Sequence, residues 1–257
     1  MTIPVIEDLL AALPATDQRV VDVRIGASWS AVVVDVHGVR RCGLAATLSA
    51  PGHDEPAVRE AGRLTMFSSQ ALCELARSAS PTEISVGMAA VNALLPLDGL
   101  QWTEVNAAEL LAQRGAHGKV ALVGHFPFVD WLRERVQTLW VLELTPRPGD
   151  LPASAAAEVI PQADLVALTS MTLLNGTFDD LMALRQPDAQ VMLLGPSTPL
   201  APLLFERGVH LLSGALVEDI DAVLRGVSEG AGFRQLHRLG VRLVTMTRTP
   251  VRNRRQR

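Results

Sequence analysis

Five short apolar runs, at residues 120–124, 139–143, 165–169, 191–195 and 209–213, constrain the fold of this chain more than any other feature. None alternates polar with apolar residues, as expected of strands covered on both sheet faces. A stretch of helical character follows each of them, at 128–135, 153–160, 178–184, 199–205 and 217–228. Consecutive βα units of this kind fold into a parallel sheet through right-handed crossovers. Such a sheet places its ligand crevice beyond the carboxyl ends of the strands, where helix amino termini converge.

The region before residue 106 reads as α+β. Residues 2–13 suit a short amphipathic helix, with Pro4 near the first turn, Glu7 and Asp8 early and Pro14 after it. Residues 19–25, 30–36 and 39–44 are β-rich, and the last two runs are joined by His37-Gly38, which predicts an antiparallel meander. Helical segments follow at 68–76 and 81–95, the second opened by Ser80 with Glu83 three residues on, the spacing of a reciprocal capping box. Another helix starts at Asn106, with Glu109 at the same spacing, and stops at Gly115. The expected organisation is an α+β domain over 1–105, a Rossmann-like parallel α/β domain over 106–240 and a basic tail over 241–257. The tail carries Arg242, Arg248, Arg252, Arg254, Arg255 and Arg257, and reads as a solvated, poorly ordered terminus rather than a nucleic-acid arm.

Composition narrows the partners. With 257 residues, 48% apolar and 19% charged, the chain can bury a core without staples. A formal charge of −4 gives no net attraction to phosphate backbones or anionic lipid, so neither nucleic acid nor membrane is expected. Lys119 is the only lysine, and the arginine bias carries no function. Cys42 and Cys73 lack a CxxC spacing and read as small core residues, which fits a reducing cytoplasm. No basic leader and no run of roughly 18 apolar residues is present, so secretion and membrane insertion are not expected. Self-association into a homo-oligomer is compatible with all of this.

The loops at the expected carboxyl ends concentrate glycine, proline and hydroxyl residues: Gly124 to Phe128, Glu143 to Gly149, Thr169 to Thr177, Gly195 to Pro199, and Ser213-Gly214. Thr177 and Thr198 there also suit simple helix caps. Glu143 follows Gly124 by about 20 residues, the separation at which a dinucleotide fold places its ribose-binding acid. The first loop, however, holds His125 and Phe126 where close approach to a pyrophosphate needs glycine, which argues against an ordinary nicotinamide oxidoreductase. An adenosine-like, carboxylate-bearing or metal-chelate ligand remains, with Glu143 as its polar anchor or simply paired with Arg147. His125 is the candidate base, acid or metal ligand. The other histidines, His37, His53, His117, His210 and His237, have no metal-binding spacing. No G-x-S-x-G elbow, Walker loop or H-E-x-x-H occurs, which removes the usual support for hydrolase and phosphotransferase chemistry.

Three stretches carry a family resemblance: Val123-Gly124-His125-Phe126-Pro127-Phe128, the run from Thr169 to Thr177, and Gly195-Pro196-Ser197-Thr198-Pro199-Leu200 with Phe205, Gly208 and Val209. Together they resemble the family called "putative heavy-metal chelation domain". Gly26-Ala27-Ser28-Trp29-Ser30-Ala31-Val32 and Gly43-Leu44-Ala45-Ala46-Thr47 resemble that family's companion domain, so the likeness covers nearly the whole chain. It implies an enolase-N-terminal-like first domain, a Rossmann-like second domain and a site in the cleft between them, for a heavy metal or metal chelate. The ligand-binding residues it implies are Gly124, His125, Glu143, Ser170, Thr172, Asn175, Thr177, Gly195, Ser197 and Thr198. Asn92 joins them from Gly87-Met88-Ala89-Ala90-Val91-Asn92-Ala93, which is also similar to the family, because an asparagine inside a helix gains little there. His125 and Glu143 are the metal candidates. Soft ligands are few, so nitrogen and oxygen ligation or uptake of a pre-formed organic chelate is expected over thiolate chelation.

Two functions follow as expectations. One is a protein that binds and handles a metal ion or metal–organic complex. The other is an enzyme that binds a nucleotide-type or small carboxylate ligand in the parallel half, with Glu143 as anchor and His125 as general acid or base.

Overall fold

The structure is a computed structural model and describes residues 4–49 and 56–248. His53 and the arginines at 252, 254, 255 and 257 lie outside the described residues. The first sheet is the expected meander: β1 (Arg19–Ile25), β2 (Trp29–Val36) and β3 (Val39–Ala46), paired antiparallel in chain order. His37 at φ 54° and Gly38 at φ 85° form the tight turn between β2 and β3, with the Gly38 amide donating to Asp35 Oδ1 at 2.7 Å.

Both faces of the meander are covered, which explains the unbroken apolar run in β2. Val32 and Val34 join a core with Val86 to Val91 of helix Pro81–Leu94, whereas Ala31 and Val33 face Val223, Leu224 and Val227 of helix Ile220–Ser228. Each fully buried valine contributes about 1.5–3 kcal/mol of apolar burial. Helix Pro81–Leu94 lies so close on β3 that a Cβ at Gly43 would sit 2.1 Å from Ala89 O. Ser80 caps this helix at the Glu83 amide, but the reciprocal half of the expected box is missing. Glu83 instead accepts from the Arg59 amide and Ser78 Oγ, and Ser78 Oγ accepts from the Ser80 amide.

The second sheet has seven strands: β4 (Lys119–Val123), β5 (Thr138–Glu143), β6 (Leu151–Pro152), β7 (Leu165–Thr169), β8 (Gln190–Leu194), β9 (Leu211–Val217) and β10 (Val241–Thr247). Their order is β10-β9-β8-β7-β4-β5-β6, with β10 antiparallel and the others parallel. The chain runs outward from β4 to one edge through β5 and β6, then returns to β7 and runs to the other edge. The crossovers therefore reverse between β4 and β7, and the two loops leaving those strands diverge and open a crevice.

One expectation is corrected here. Residues 241–247, assigned to a basic tail, are an edge strand bonded along its length to β9. Val241, Val244 and Met246 are buried, while Arg242 points outward to Glu104 and Glu218, so the arginine decorates a strand. The shared core runs without interruption from the meander and helix Pro81–Leu94 to Leu168, Leu193 and Leu212 of the large sheet. Among the described residues, no helix is long and apolar enough to cross a membrane.

Candidate functional site

A cavity of about 630 Å³ opens at the carboxyl ends of β4, β5 and β7. It collects Gly124, His125, Glu143, Thr172, Asn175 and Thr177 of the expected residues, and among the described residues of the first half Leu48 alone reaches its wall. The other walls are mainly apolar, among them Phe126, Leu144, Met171 and Leu181. Gly124 follows β4 at φ +99°, and a Cβ there would meet the Thr169 side chain at 3.1 Å, so glycine is required for the chain to turn away from β7.

His125 is held by groups on both sides. Its amide donates to Glu143 Oε2 at 2.8 Å, and its Nδ1 lies 2.8 Å from Asp150 Oδ2. The Asp150 side chain is completely covered and that of His125 is 17% exposed. Burial alone would raise the Asp150 carboxyl. The hydrogen bonds from His125 and the Arg147 amide, with the charge of Arg133, outweigh burial and hold it below the usual carboxylate range. An ionised carboxylate accepts only, so Nδ1 carries a proton, and in the neutral imidazole the lone pair is on Nε2. Among the described residues Nε2 has no hydrogen-bond partner.

Glu143 is already committed. Its Oε2 takes the His125 amide and its Oε1 takes the Leu144 amide at 2.8 Å, so it pins the two loops that flank the cavity rather than pairing with Arg147. Thr172 donates to Thr169 O at 2.7 Å, and Thr177 to Asn175 Oδ1 at 2.8 Å. Thr177 makes no side-chain cap, and no hydrogen bond from the Asn175 NH₂ group is found among the described residues. Asp180, on the same wall, was not anticipated from sequence. Asp150 was missed as well: it stands seven residues beyond Glu143, and only the turn through Gly149 at φ +89° brings its carboxylate back to the histidine.

The remaining expected residues sit elsewhere. Ser170 and Gly195 pack together, since a Cβ at Gly195, which has φ +126°, would lie 2.6 Å from Ser170 Oγ. Ser197 joins the halves by accepting the Ala46 amide at 2.8 Å. Asn92 and Thr198 line a separate cavity of about 330 Å³. Cys42 is half-buried and Cys73 buried, and burial pushes each thiol up to about 12, so both are neutral and poor metal ligands. Among the described residues, no group of three or more histidine, cysteine, aspartate or glutamate side chains is placed to hold a metal ion.

This is a mixed α/β protein with a small antiparallel sheet, a seven-stranded mostly parallel sheet and a small-molecule-sized pocket at the crossover reversal. The chain belongs to the family described as "putative heavy-metal chelation": one family model of that description matches residues 106–246 and a second matches residues 6–95. An uncharacterized protein of Methanocaldococcus jannaschii is 26% identical over 217 residues, which span 81% of this chain and 82% of that one. A crystal structure of a protein of unknown function from Desulfitobacterium hafniense superposes with a TM-score of 0.81 at 25% identity, covering 95% of this chain and 98% of that one. One from Pyrococcus horikoshii, also of unknown function, gives 0.79 at 19% identity with the same coverage and supports the fold alone.

Proposed function

We propose that the protein binds a heavy metal as a pre-formed organic chelate in the 630 Å³ cavity, with His125 Nε2 as the one ligand it contributes. The observation that carries this is a single imidazole whose far nitrogen is oriented by a buried carboxylate, in a largely apolar pocket where the described residues offer no group of three metal ligands. Metal-binding histidines typically donate the other ring N–H to such a carboxylate, which fixes the tautomer and raises the basicity of the free nitrogen. A bare ion needs several protein donors. A chelate brings its own, and its organic rim matches the walls formed by Phe126, Met171 and Leu181. Asn175 and Asp180 are the polar contacts for the edge of the complex. Two free thiols fit a cytoplasmic setting.

The enzyme reading is weaker on one specific point: Glu143 has both oxygens occupied by backbone amides, so it has little left for a ribose or substrate hydroxyl.

The test uses nickel(II)–phenanthroline, a flat chelate with open coordination positions, alongside free Ni²⁺, Co²⁺ and Zn²⁺. The expected result is one complex bound per chain with a shifted visible spectrum and a raised Tm, both lost in His125→Ala. Equal response to the free ions, or an unchanged response in His125→Ala, rejects the proposal.

A further inference from the structure

The smaller cavity has a different chemistry and lies between the halves. Strand β3 supplies Arg41 and Cys42, helix Pro81–Leu94 supplies Asn92, the loop after β8 supplies Thr198, and β9 supplies Ala215 to Val217. Two polar atoms belonging to its lining residues, Asn92 Oδ1 and Thr198 Oγ1, are shielded from solvent and have no hydrogen-bond partner among the described residues. Buried polar groups left unpaired are costly and uncommon, so each such case calls for an explanation.

The amide orientation of Asn92 is fixed by its neighbours. Nδ2 donates to Leu44 O at 2.8 Å and Ser197 O at 3.2 Å, and since both partners are carbonyls, Oδ1 must be the atom left over. It can only accept. Thr198 is 2% exposed, and its hydroxyl can donate or accept.

The third group is Arg41. The neighbouring arginines are paired, Arg40 with Asp221 at 2.8 Å and Arg242 with Glu218 at 3.0 Å. Arg41 has one hydrogen bond, to Leu95 O, and no carboxylate partner within ion-pair distance among the described residues. Burial pushes its guanidinium below the ordinary value, with the more distant charge of Asp98 opposing this. Most of its five donors are therefore available for an anion.

The lining thus offers a cation with a fork of donors, an acceptor that needs a donor and a hydroxyl that suits either role. Among the described lining residues three arginines face one carboxylate, Glu218, so the ligand's own donor is better neutral than ammonium. We propose that this cavity is a second binding site, for a small hydroxycarboxylate whose carboxylate pairs with Arg41 and whose hydroxyl donates to Asn92 Oδ1 and accepts from Thr198 Oγ1. The neutral Cys42 thiol forms part of the wall and takes no role in ligation.

Calorimetric titration with lactate and malate, and with propionate as the hydroxyl-free control, tests this on the full chain. The expected result is one saturable site per chain, with propionate about tenfold weaker, as for loss of one hydrogen bond to a group otherwise left unpaired. Arg41→Gln should abolish binding and Arg41→Lys should restore part of it. Because Arg41 also holds Leu95 O, Thr198→Val is the second variant: it removes an atom without a protein partner, should fold as the parent does and should bind lactate about tenfold more weakly. His125→Ala should bind lactate unchanged, which separates this site from the chelate pocket. No saturation at concentrations on the order of tens of millimolar, equal affinity for propionate and lactate, full binding in both Arg41→Gln and Thr198→Val, or loss in His125→Ala would each overturn it. So would crystals grown with lactate that show only ordered water on Asn92 Oδ1 and Thr198 Oγ1.

Discussion

The two cavities differ in how their polar groups are partnered. At the carboxyl ends of the parallel strands, Asp150 orients His125 and Glu143 is saturated by two amides, so one imidazole nitrogen stands free amid largely apolar walls. Between the halves, the groups with capacity left are the Arg41 guanidinium, an amide oxygen and a hydroxyl, with no imidazole among the described lining residues. The first arrangement suits a metal centre that arrives with its own organic ligand. The second suits an anion. The difference lies in which side chains the fold leaves with donors or acceptors to spare.

That contrast can be broken most decisively at His125. His125→Ala should eliminate nickel–phenanthroline binding while leaving lactate titrations as they were, and parallel loss at both sites would merge the two cavities into one. Asp150→Asn comes next. It keeps the size of the side chain but removes the charge that fixes the tautomer, and chelate affinity should fall roughly 10- to 100-fold with little change in fold, measured by the same spectral titration. If affinity is unchanged, the carboxylate does not orient a ligand.

A smaller effect is expected at Glu143, which acts on the loops and not on the ligand. Glu143→Ala should lower stability by about 1–3 kcal/mol, read as a reduced Tm with or without the chelate, because two amides lose their acceptor. Adenosine that stabilised the parent but not this variant would instead revive the enzyme reading.

The smallest effect serves as a reference away from both cavities. Burial, then the charges of Arg248, Arg185 and Arg114, lowers the His210 pKa from its ordinary 6.5, and its Nδ1 accepts the Val191 amide at 3.1 Å. The folded state therefore disfavours the proton. Its contribution to stability is present above about pH 6.5 and is lost as the pH falls through that value towards the folded pKa. Tm should decline modestly from pH 7 to pH 5, and His210→Asn should flatten that slope whichever ligand is bound.

Much of the fold was legible because strands buried on both faces cannot alternate: β4, β5, β7 and β8 lie within one residue of the apolar runs that announce them. The edges were not legible. β6 has only two residues, and β10 was hidden by Arg242 and by its place beside the arginine-rich terminus, although Val241, Val244 and Met246 face inward. The site divides in the same way. His125 and Thr172 could be found because carboxyl-end loops face a crevice whatever their sequence, whereas Asp150 reaches the histidine only through a glycine turn that spacing does not reveal. The family likeness placed Asn92 and Thr198 in the same group as His125, but the packing of helix Pro81–Leu94 on β3 carries Asn92 to the other cavity, where the loop after β8 brings Thr198. Ser80 and Glu83 show the same limit locally, since the acid accepts from the Arg59 amide and Ser78 Oγ instead of the Ser80 amide.

The central claim is that His125 Nε2 is the protein's ligand to a chelated metal. Anomalous diffraction at the nickel edge from crystals grown with nickel–phenanthroline tests it directly. The account predicts one peak per chain, about 2 Å from Nε2, with the phenanthroline ring against Phe126, Met171 or Leu181. A peak bound elsewhere, or none at full occupancy of the soak, would contradict it.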